Sequence, residues 1–277
     1  MKETELITIR DEDLNLLLTE IFQRYGYDFT NYARASLRRR ITRLMLIDRL
    51  PSFAELFYRV RNDENYFTHI IQQLTVNVTE MFRDPQMFKV LREEVLPVLA
   101  THPFIRIWHA GCSTGEEAYS MAILLEEANL LHKSLIYATD INPHVIENIQ
   151  RGIFSMNHMK IYSENYILAG GRREFSSYYT AKYDWAKFDD RLKTRMIVAT
   201  HNLVSDRSFN EFQLICCRNV LIYFDKDLQD KVLTLFDDSL DKLGFLVLGS
   251  KENIRFTKVA SKYRQMENRE KIWRKVK

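Results

Sequence analysis

The first 75 residues carry apolar side chains at helical spacing, in four segments that polar or turn-forming residues separate. The first segment repeats leucine and isoleucine every three or four positions, after an acidic start at residues 11–13 and before Gly26. The third opens with Ser52 and Glu55, the two residues of a capping box. No alternating strand pattern interrupts these segments. The pattern therefore predicts a small all-helical domain over residues 1–76.

From residue 77 onward the pattern changes to short apolar runs that alternate with helical periods. The runs typical of buried strands lie at 105–111, 135–140, 196–200, 212–217 and 245–248. Strands alternating with helices build parallel sheets that are covered on both faces, so we expect an α/β, doubly wound domain over residues 77–277. The stretch 172–195 lacks a helical period and is interpreted as an insertion of short antiparallel strands. The tail around 263–276 is interpreted as a closing hairpin.

Composition narrows the class of protein. The 277 residues contain no apolar run of about 18 positions, which a membrane span needs, and the first residues lack the apolar core of a signal peptide, so a cytoplasmic location is expected. A net charge of +3 argues against bulk nucleic-acid binding. Cys112, Cys216 and Cys217 are too few and too irregularly spaced for a disulfide framework or a zinc site, so we expect buried, reduced thiols and no metal.

A glycine turn follows the first strand of the second domain. Gly111 and Gly115 allow a ligand to approach the backbone closely, and a helix starts directly afterwards. The third glycine of the dinucleotide fingerprint is missing, and Glu116 and Glu117 occupy the first helical turn. Carboxylates repel a pyrophosphate and favour a cationic ligand, so the turn predicts S-adenosylmethionine, which carries a sulfonium and an amino group. The alternative is that both glutamates only complement the helix dipole.

The second strand ends at Asp140, where folds of this kind hold a ribose diol. The alternative role for Asp140 is the N-cap of the helix that starts at Pro143, although Asn142 could serve as the cap instead. We therefore predict that Asp140 contacts the ribose.

The segment after the fourth strand indicates the chemistry. It reads CRNVLIYF (217–224), with neither the Pro-Pro-aromatic pattern of nucleobase amino methyltransferases nor the Pro-Cys nucleophile of cytosine C5 enzymes. Arg218 and Tyr223 offer donors for an anionic oxygen substrate. A carboxylate is already ionised at pH 7 and needs no general base. The alternative for Arg218 is a structural ion pair.

Four segments together resemble the CheR-type chemotaxis receptor methyltransferases. They are LTVNVTEMFRD (74–84), AGCSTGEEAYS (110–120), ATDI (138–141) and CRNVLIYFD (217–225), in this order. The resemblance implies a class I, Rossmann-like methyltransferase domain with a helical N-terminal domain and a small antiparallel β insertion. The implied reaction methylates receptor glutamates with S-adenosylmethionine and leaves S-adenosylhomocysteine.

The resemblance also implies roles for individual residues. Asn77, Thr79 and Arg83 would reach the cofactor from the interdomain linker, Glu117 would meet its amino group, and Asp140 its ribose. Asn202, Leu203, Arg218 and Asn219 would flank the adenine and the cofactor tail. Arg83 and Tyr223 would orient the substrate carboxylate.

A basic second helix is a further feature with two interpretations. Five arginines crowd it, of which we expect four to recognise the substrate: Arg34, Arg38, Arg39 and Arg43. In the family such a helix lies against the acidic cytoplasmic signalling domain of the receptor, and the enzyme is recruited to membrane receptor arrays. The alternative is a solvated basic face. No long apolar periodic segment indicates an obligate dimer, so a monomer is expected.

Two competing functions remain open at this stage. One is a class I methyltransferase that acts on another carboxylate or a small molecule, with the helical domain as a lid. The other is a non-catalytic module that senses S-adenosylmethionine within a signalling array.

Overall fold

The computed structural model describes residues 9–75, 78–266 and 270–277. The chain forms two compact units, Met1–Val76 with Tyr223–Gln229, and Asn77–Ile222 with Asp230–Lys277. We refer to them as the helical unit and the cofactor unit. The expectation of two contiguous domains, 1–76 and 77–277, did not include the return of the chain to the helical unit at 223–229.

The predicted small helical domain is confirmed. Its helices are α1 (Asp11–Tyr25), α2 (Arg34–Ile47), α3 (Phe53–Asn62) and α4 (Glu64–Leu74). Helix α1 ends at Gly26, whose left-handed φ of 76° lets its N–H bond to the carbonyl of Phe22. Ser52 caps helix α3, and its side chain accepts the N–H of Glu55, which is one half of the predicted capping box; the side chain of Glu55 pairs with Arg59 instead. The leucines and isoleucines of each helical stripe are buried, which is what holds these short helices together.

The segment 223–229 is tied to the helical unit by backbone and ring contacts. Tyr32 and Phe224 form an isolated antiparallel bridge, and their ring centroids lie 4.9 Å apart. The N–H of Ala33 donates to the carbonyl of Tyr223 at 2.8 Å, and the N–H of Asp225 donates to that of Asn31 at 2.9 Å. These hydrogen bonds fix the backbone of residues 223–225 against residues 31–33.

The cofactor unit is built on one seven-stranded sheet, which confirms the predicted α/β, doubly wound class. Its strands are β1 (Ile105–Ala110), β2 (Ser134–Asp140), β6 (Met196–Thr200), β7 (Phe212–Cys217), β8 (Leu240–Leu248), β9 (Tyr263–Gln265) and β10 (Ile272–Lys275). The order across the sheet is β6-β2-β1-β7-β8-β10-β9. Strands β6, β2, β1, β7 and β8 run parallel, and β10 and β9 close the sheet as the predicted antiparallel hairpin.

The helices of the cofactor unit flank this sheet or connect its strands. They are α5 (Pro85–Val90), α6 (Leu96–Leu99), α7 (Glu116–Glu127), α8 (Pro143–Arg151), α9 (Met159–Leu168), α10 (Asp190–Lys193) and α11 (Lys226–Ser239), with one π-helical turn at Leu91–Val95. The first four residues of α11 belong to the segment 223–229 of the helical unit. Helix α9 was not predicted. Its buried side chains include Met159 and Tyr162, while Ile167 and Leu168 are exposed, so apolar residues surround the helix and blur its period.

A second, three-stranded antiparallel sheet has the order β3-β5-β4. Its strands are β3 (Ile153–Ser155), β4 (Tyr179–Lys182) and β5 (Trp185–Phe188). The predicted antiparallel insertion therefore exists, but the expected range 172–195 contains only β4 and β5. A strand of three residues, such as β3, is too short to show a period of two. Among the described residues, no helix is long and apolar enough to cross a membrane.

Candidate functional site

The glycine turn after β1 is held against the end of β2. The N–H groups of Gly111 and Cys112 both donate to the carbonyl of Thr139, at 2.8 and 3.0 Å. Gly111 and Gly115 have φ of 75° and 97°. A Cβ on Gly111 would lie 2.5 Å from Val220 Cγ2. The close packing and the left-handed φ together require glycine here.

Asp140 connects the end of β2 to the same turn. Its buried carboxylate accepts the N–H of Ser113 at 2.9 Å and that of Asn142 at 3.0 Å. Burial raises the pKa of Asp140, and these backbone N–H groups limit that rise. Asn142, not Asp140, caps α8, because its side chain accepts the N–H of His144. The helix cap that was the alternative role for Asp140 is therefore provided by Asn142, as the sequence allowed.

Glu117 lies between two donors. Its Oε1 is 2.8 Å from Nδ1 of His109, and its Oε2 accepts Nη1–H of Arg218 at 2.7 Å. Burial alone would raise the pKa of Glu117, but the Arg218 guanidinium and the His109 hydrogen bond outweigh it and lower the pKa to about 2. Glu117 is therefore an ionised carboxylate beside the glycine turn, and it does more than complement the helix dipole.

The preceding residue, Glu116, has the opposite electrostatics. Its carboxylate accepts the hydroxyl of Thr114 at 2.6 Å and that of Tyr162 at 3.3 Å. Burial without a cationic partner raises the pKa of Glu116 to about 6, although these hydrogen bonds oppose the rise. Two adjacent glutamates of α7 thus titrate on opposite sides of the ordinary value.

Arg218 is a buried ion-pair centre. Besides Glu117, its Nη2 donates to Asp84 Oδ2 at 2.6 Å and to the carbonyl of Arg83 at 3.0 Å. Asp84 occupies the N-cap position before Pro85, where α5 begins, but its side chain makes no capping hydrogen bond and binds Arg218 instead. The backbone of Asp84 has a left-handed φ of 57°. In this structure Arg218 therefore takes the ion-pair alternative that its sequence position left open.

The other predicted cofactor residues of this unit lie on turns. The N–H of Val204 donates to Asn202 Oδ1 at 2.9 Å, in the turn after β6, and Leu203 beside it is buried. Arg83 donates to the carbonyl of Val78 at 3.2 Å, and Thr79 is half-buried. Asn77 lies outside the described residues.

Tyr223 belongs to the helical unit and lies beneath an arginine of α2. The guanidinium carbon of Arg40 is 4.8 Å from the centroid of the Tyr223 ring. Nη1 of Arg40 also donates to the carbonyl of Leu74. Burial lowers the pKa of Arg40, and the Tyr223 contact opposes that shift. The guanidinium of Arg40 therefore binds groups within the helical unit.

The four arginines predicted to recognise the substrate divide into two pairs. Arg34 and Arg38 both form ion pairs with Asp11 of α1. Arg39 and Arg43 are exposed, and neither has an ion pair within the described residues. The free basic face of α2 is thus smaller than its sequence indicates.

One group of side chains has the composition of a metal site. Ligand atoms of His109, Glu117 and Cys216 lie within 4.8 Å of one another. Both oxygens of Glu117 already have partners, and the adjacent Arg218 cation disfavours a metal ion. Burial raises the pKa of Cys216 well above its ordinary value, so it remains a thiol. All three cysteines are free and buried, as predicted.

Comparison with known proteins covers both units. Residues 77–272 match the family described as CheR methyltransferase, SAM binding domain, and residues 12–75 match CheR methyltransferase, all-alpha domain. The chain belongs to the CheR methyltransferase family. It is therefore an S-adenosylmethionine-dependent methyltransferase, and the cofactor predicted from the glycine turn is confirmed.

Several relatives of this CheR methyltransferase align along most of their length. The putative methyltransferase Cher3 of Pseudomonas putida is 49% identical over 265 residues, which cover 96% of this chain and 97% of that protein. The chemotaxis protein methyltransferase of Listeria innocua is 30% identical over 86% of this chain and 89% of its own. The chemotaxis protein methyltransferase 1 of Vibrio cholerae is 30% identical, over 90% and 91%.

Two residues beside the cofactor turn were not assigned a role from the sequence. His109 is a fully buried polar residue in an apolar strand, and Asp84 has the ion pair described above. A histidine among apolar strand residues needs a buried partner, so the strand pattern contained a signal for His109. The sequence contained no signal for the ion pair of Asp84, because an Asp-Pro pair is typical of a helix start.

Proposed function

We propose that this CheR methyltransferase transfers a methyl group to glutamate side-chain carboxylates of chemotaxis receptors, giving γ-methyl esters and S-adenosylhomocysteine. The observation that supports it most is the extent of the alignments. Relatives named chemotaxis protein methyltransferase align over 86% and 90% of this chain, through both the helical and the cofactor unit. A common receptor substrate accounts for the retention of both units together.

The residues around the glycine turn fit the cofactor. Gly111 and Gly115 place no side chain at either end of the turn, Asp140 offers a carboxylate at the end of β2, and Glu117 is ionised. In the proposed arrangement Glu117 holds the amino group and Asp140 the ribose. Asn77, Thr79 and Arg83 hold the cofactor from the linker, and Asn202, Leu203, Arg218 and Asn219 flank the adenine and the tail.

When bound, S-adenosylmethionine supplies an electrophilic methyl group on a sulfonium sulfur. The substrate carboxylate is ionised at neutral pH, so the chain has no proton to remove. The proposed task of Arg83 and Tyr223 is to hold one carboxylate oxygen in line with the reacting bond. An anion and a cation are consumed together in this reaction, so exclusion of water by the surrounding residues favours it.

The helical unit supplies the proposed contact with the receptor. Arg39 and Arg43 form an exposed cationic surface on α2 that would attract the acidic cytoplasmic signalling domain of a receptor. We place Arg34 and Arg38 at the edge of that contact, because Asp11 already neutralises part of their charge. The enzyme would act as a monomer in the cytoplasm and be recruited to membrane receptor arrays.

The proposal is tested by following labelled methyl from S-adenosylmethionine into a purified receptor signalling fragment. We expect incorporation that mild base releases as methanol and that Glu→Ala changes in the fragment abolish. Tyr223→Phe keeps the ring beneath Arg40 and removes the hydroxyl, so it should lower the transfer rate at least ten-fold and leave S-adenosylhomocysteine affinity unchanged. Cofactor binding without any incorporation would overturn the receptor substrate.

Base-stable label would instead indicate a nitrogen or a sulfur acceptor. Label transferred equally well to free glutamate would favour a small-molecule carboxylate as the substrate.

A further inference from the structure

A buried carboxylate outside the predicted site lies under the segment that follows β7. Glu252 is 4% exposed and comes four residues after the end of β8. Its Oε2 accepts the N–H of Asn219 at 2.9 Å and that of Gly249 at 2.6 Å, and its Oε1 accepts the N–H of Ile222 at 3.2 Å. One side chain therefore connects three backbone groups from two separate loops.

The charge of Glu252 is met by backbone dipoles. No side-chain cation pairs with it in the described parts of the chain. Burial raises the pKa of Glu252, and the backbone N–H groups oppose that rise. Convergent N–H groups form a concave site for anions, and here the chain fills the site with its own carboxylate. Such an arrangement is costly to bury, so a purely structural contact would be served as well by an uncharged acceptor.

The backbone that Glu252 holds is strained and closely packed. Asn219 has φ of 61°, a left-handed conformation that asparagine tolerates better than most residues but that still costs energy. A Cβ on Gly249 would lie 2.8 Å from the amide nitrogen of Asn219, so the two loops are in direct contact. The hydrogen bond from the N–H of Asn219 to Glu252 therefore stabilises a backbone conformation that carries an energetic cost.

The same segment contacts the cofactor turn. Val220 lies in the sequence between Asn219 and Ile222, the two residues of this segment that Glu252 binds. Its Cγ2 is the atom that a Cβ on Gly111 would meet at 2.5 Å. Arg218, on the other side, pairs with Glu117. In the sequence Tyr223 directly follows Ile222, and the chain between Leu221 and Tyr223 is one 3₁₀ turn.

We infer that Glu252 is a positioning residue for cofactor binding, which acts by fixing the backbone of residues 219–222 against the glycine turn. This inference rests on the proposed cofactor roles of Arg218 and Asn219 and does not depend on the identity of the methyl acceptor. A shift of the segment by one ångström would move Arg218, Asn219 and Val220 together, and misplacements of that size lower function by up to about a hundred-fold.

The test compares two chemically identical changes at buried carboxylates. Glu252→Gln replaces one acceptor oxygen by an NH₂ group that faces backbone N–H groups. Glu127→Gln makes the same change at a buried carboxylate that pairs with Arg92 and Tyr178 and touches neither loop. S-adenosylhomocysteine affinity is measured by calorimetry on both full-length variants, well below their unfolding temperatures, and the unfolding temperatures are measured separately.

We expect Glu252→Gln to weaken S-adenosylhomocysteine binding at least ten-fold, while Glu127→Gln lowers the unfolding temperature and changes affinity less than two-fold. Unchanged affinity in Glu252→Gln would overturn the inference, as would a loss in both variants that follows their loss of stability. If Glu252→Gln does not fold, Glu252→Asp replaces it. Aspartate keeps the charge but is one methylene shorter, so its affinity should fall between wild type and a ten-fold loss, and wild-type affinity would again overturn the inference.

Binding is measured without a receptor. Failure of receptor methylation would therefore contradict the proposed function and leave this result unaffected.

Discussion

Arg218 donates Nη1–H to Oε2 of Glu117 at 2.7 Å, although the two residues lie 101 positions apart. The contact joins the segment after β7 to the first turn of α7, and it gives Glu117 a compensating charge before any ligand binds. A cationic amino group that approaches Glu117 must therefore share this carboxylate with Arg218. Affinity for the cofactor and stability of the unit should depend on the same pair.

The first prediction concerns the stability contributed by Glu117. Its pKa is lowered to about 2 in the folded state, so its contribution is complete above the ordinary value near 4.5 and is lost as pH falls toward 2. The loss should amount to about 3 kcal/mol. Glu117→Gln should remove this pH dependence and lower the unfolding free energy at pH 7 by a similar amount. Urea unfolding of the wild type and of Glu117→Gln at pH 7, 4.5 and 3 measures the unfolding free energy and its pH dependence.

The matched control for that prediction is Glu147→Gln. Glu147 forms an exposed pair with Arg151, and such pairs contribute little. An equal effect of the two changes would contradict the proposed importance of the Glu117–Arg218 pair.

The second prediction has the opposite sign and concerns Glu116. Its pKa is raised to about 6, so the folded protein favours the protonated form and loses stability as pH rises from 4.5 to 6. The loss should be about 2 kcal/mol. Glu116→Gln removes the titration and keeps one acceptor oxygen for the hydroxyl of Thr114 or Tyr162, while its NH₂ group can donate to the other hydroxyl. It should therefore increase the unfolding free energy at pH 7. A lower unfolding free energy in Glu116→Gln than in wild type would mean that the charged form has a partner.

The third prediction concerns Gly115. A Cβ there would lie 2.7 Å from Ile149 Cγ1, and φ is 97°, so Gly115→Val should distort the turn and abolish measurable S-adenosylhomocysteine binding. Gly26→Ala is the control, because it has a φ of 76° but open space around its Cβ. It should cost about 1–2 kcal/mol of stability and leave binding intact. Retained binding in Gly115→Val would mean that the cofactor lies elsewhere.

The fourth prediction concerns the exposed part of α2. Arg39→Glu with Arg43→Glu should lower kcat/KM for receptor methylation about ten-fold or more at low salt, because charge steering is lost, and the deficit should shrink as ionic strength rises. S-adenosylhomocysteine affinity should stay at the wild-type value. These positions are better suited than Arg38, whose reversal would also break its ion pair with Asp11.

The control for that double variant is Lys231→Glu with Lys242→Glu, which changes net charge equally at exposed positions of the cofactor unit. A similar loss in both double variants would show that net charge, and not the surface of α2, governs the rate.

The sequence was sufficient for the elements whose pattern is local and strong. The strands at 196–200 and 212–217 have the predicted bounds, because polar or turn-forming residues bound each apolar run. Only the second run is buried along its whole length, since β7 lies inside the sheet and β6 lies at its edge. The four helices of the first unit followed from their stripes. Helix α9 and strand β3 did not, because one has apolar residues all around and the other has three residues.

Within the candidate site, the chemistry of the ligand was easier to predict than the partners of each side chain. The paired glycines and acidic residues pointed to S-adenosylmethionine from residue types alone. The contact of Arg218 with Asp84 was not predictable, since it joins residues 134 positions apart. Glu252 was not predicted as a site residue, because its partners are backbone N–H groups, which have no signature in a sequence.

The return of the chain at 223–229 has a consequence for genetic dissection. Phe224 and Leu228 are buried, and Phe224 packs on Tyr32, so this heptapeptide relies on residues of the helical unit that lie much earlier in the chain. A gene without the codons for residues 1–76 would still encode the heptapeptide but not Asn31, Tyr32 and Ala33, which contact it, and the product would expose new apolar surface. Deletion of residues 1–76 therefore does not isolate the function of the helical unit, because it also disturbs the segment 223–229. Substitutions at exposed positions of the helical unit test that function without this effect.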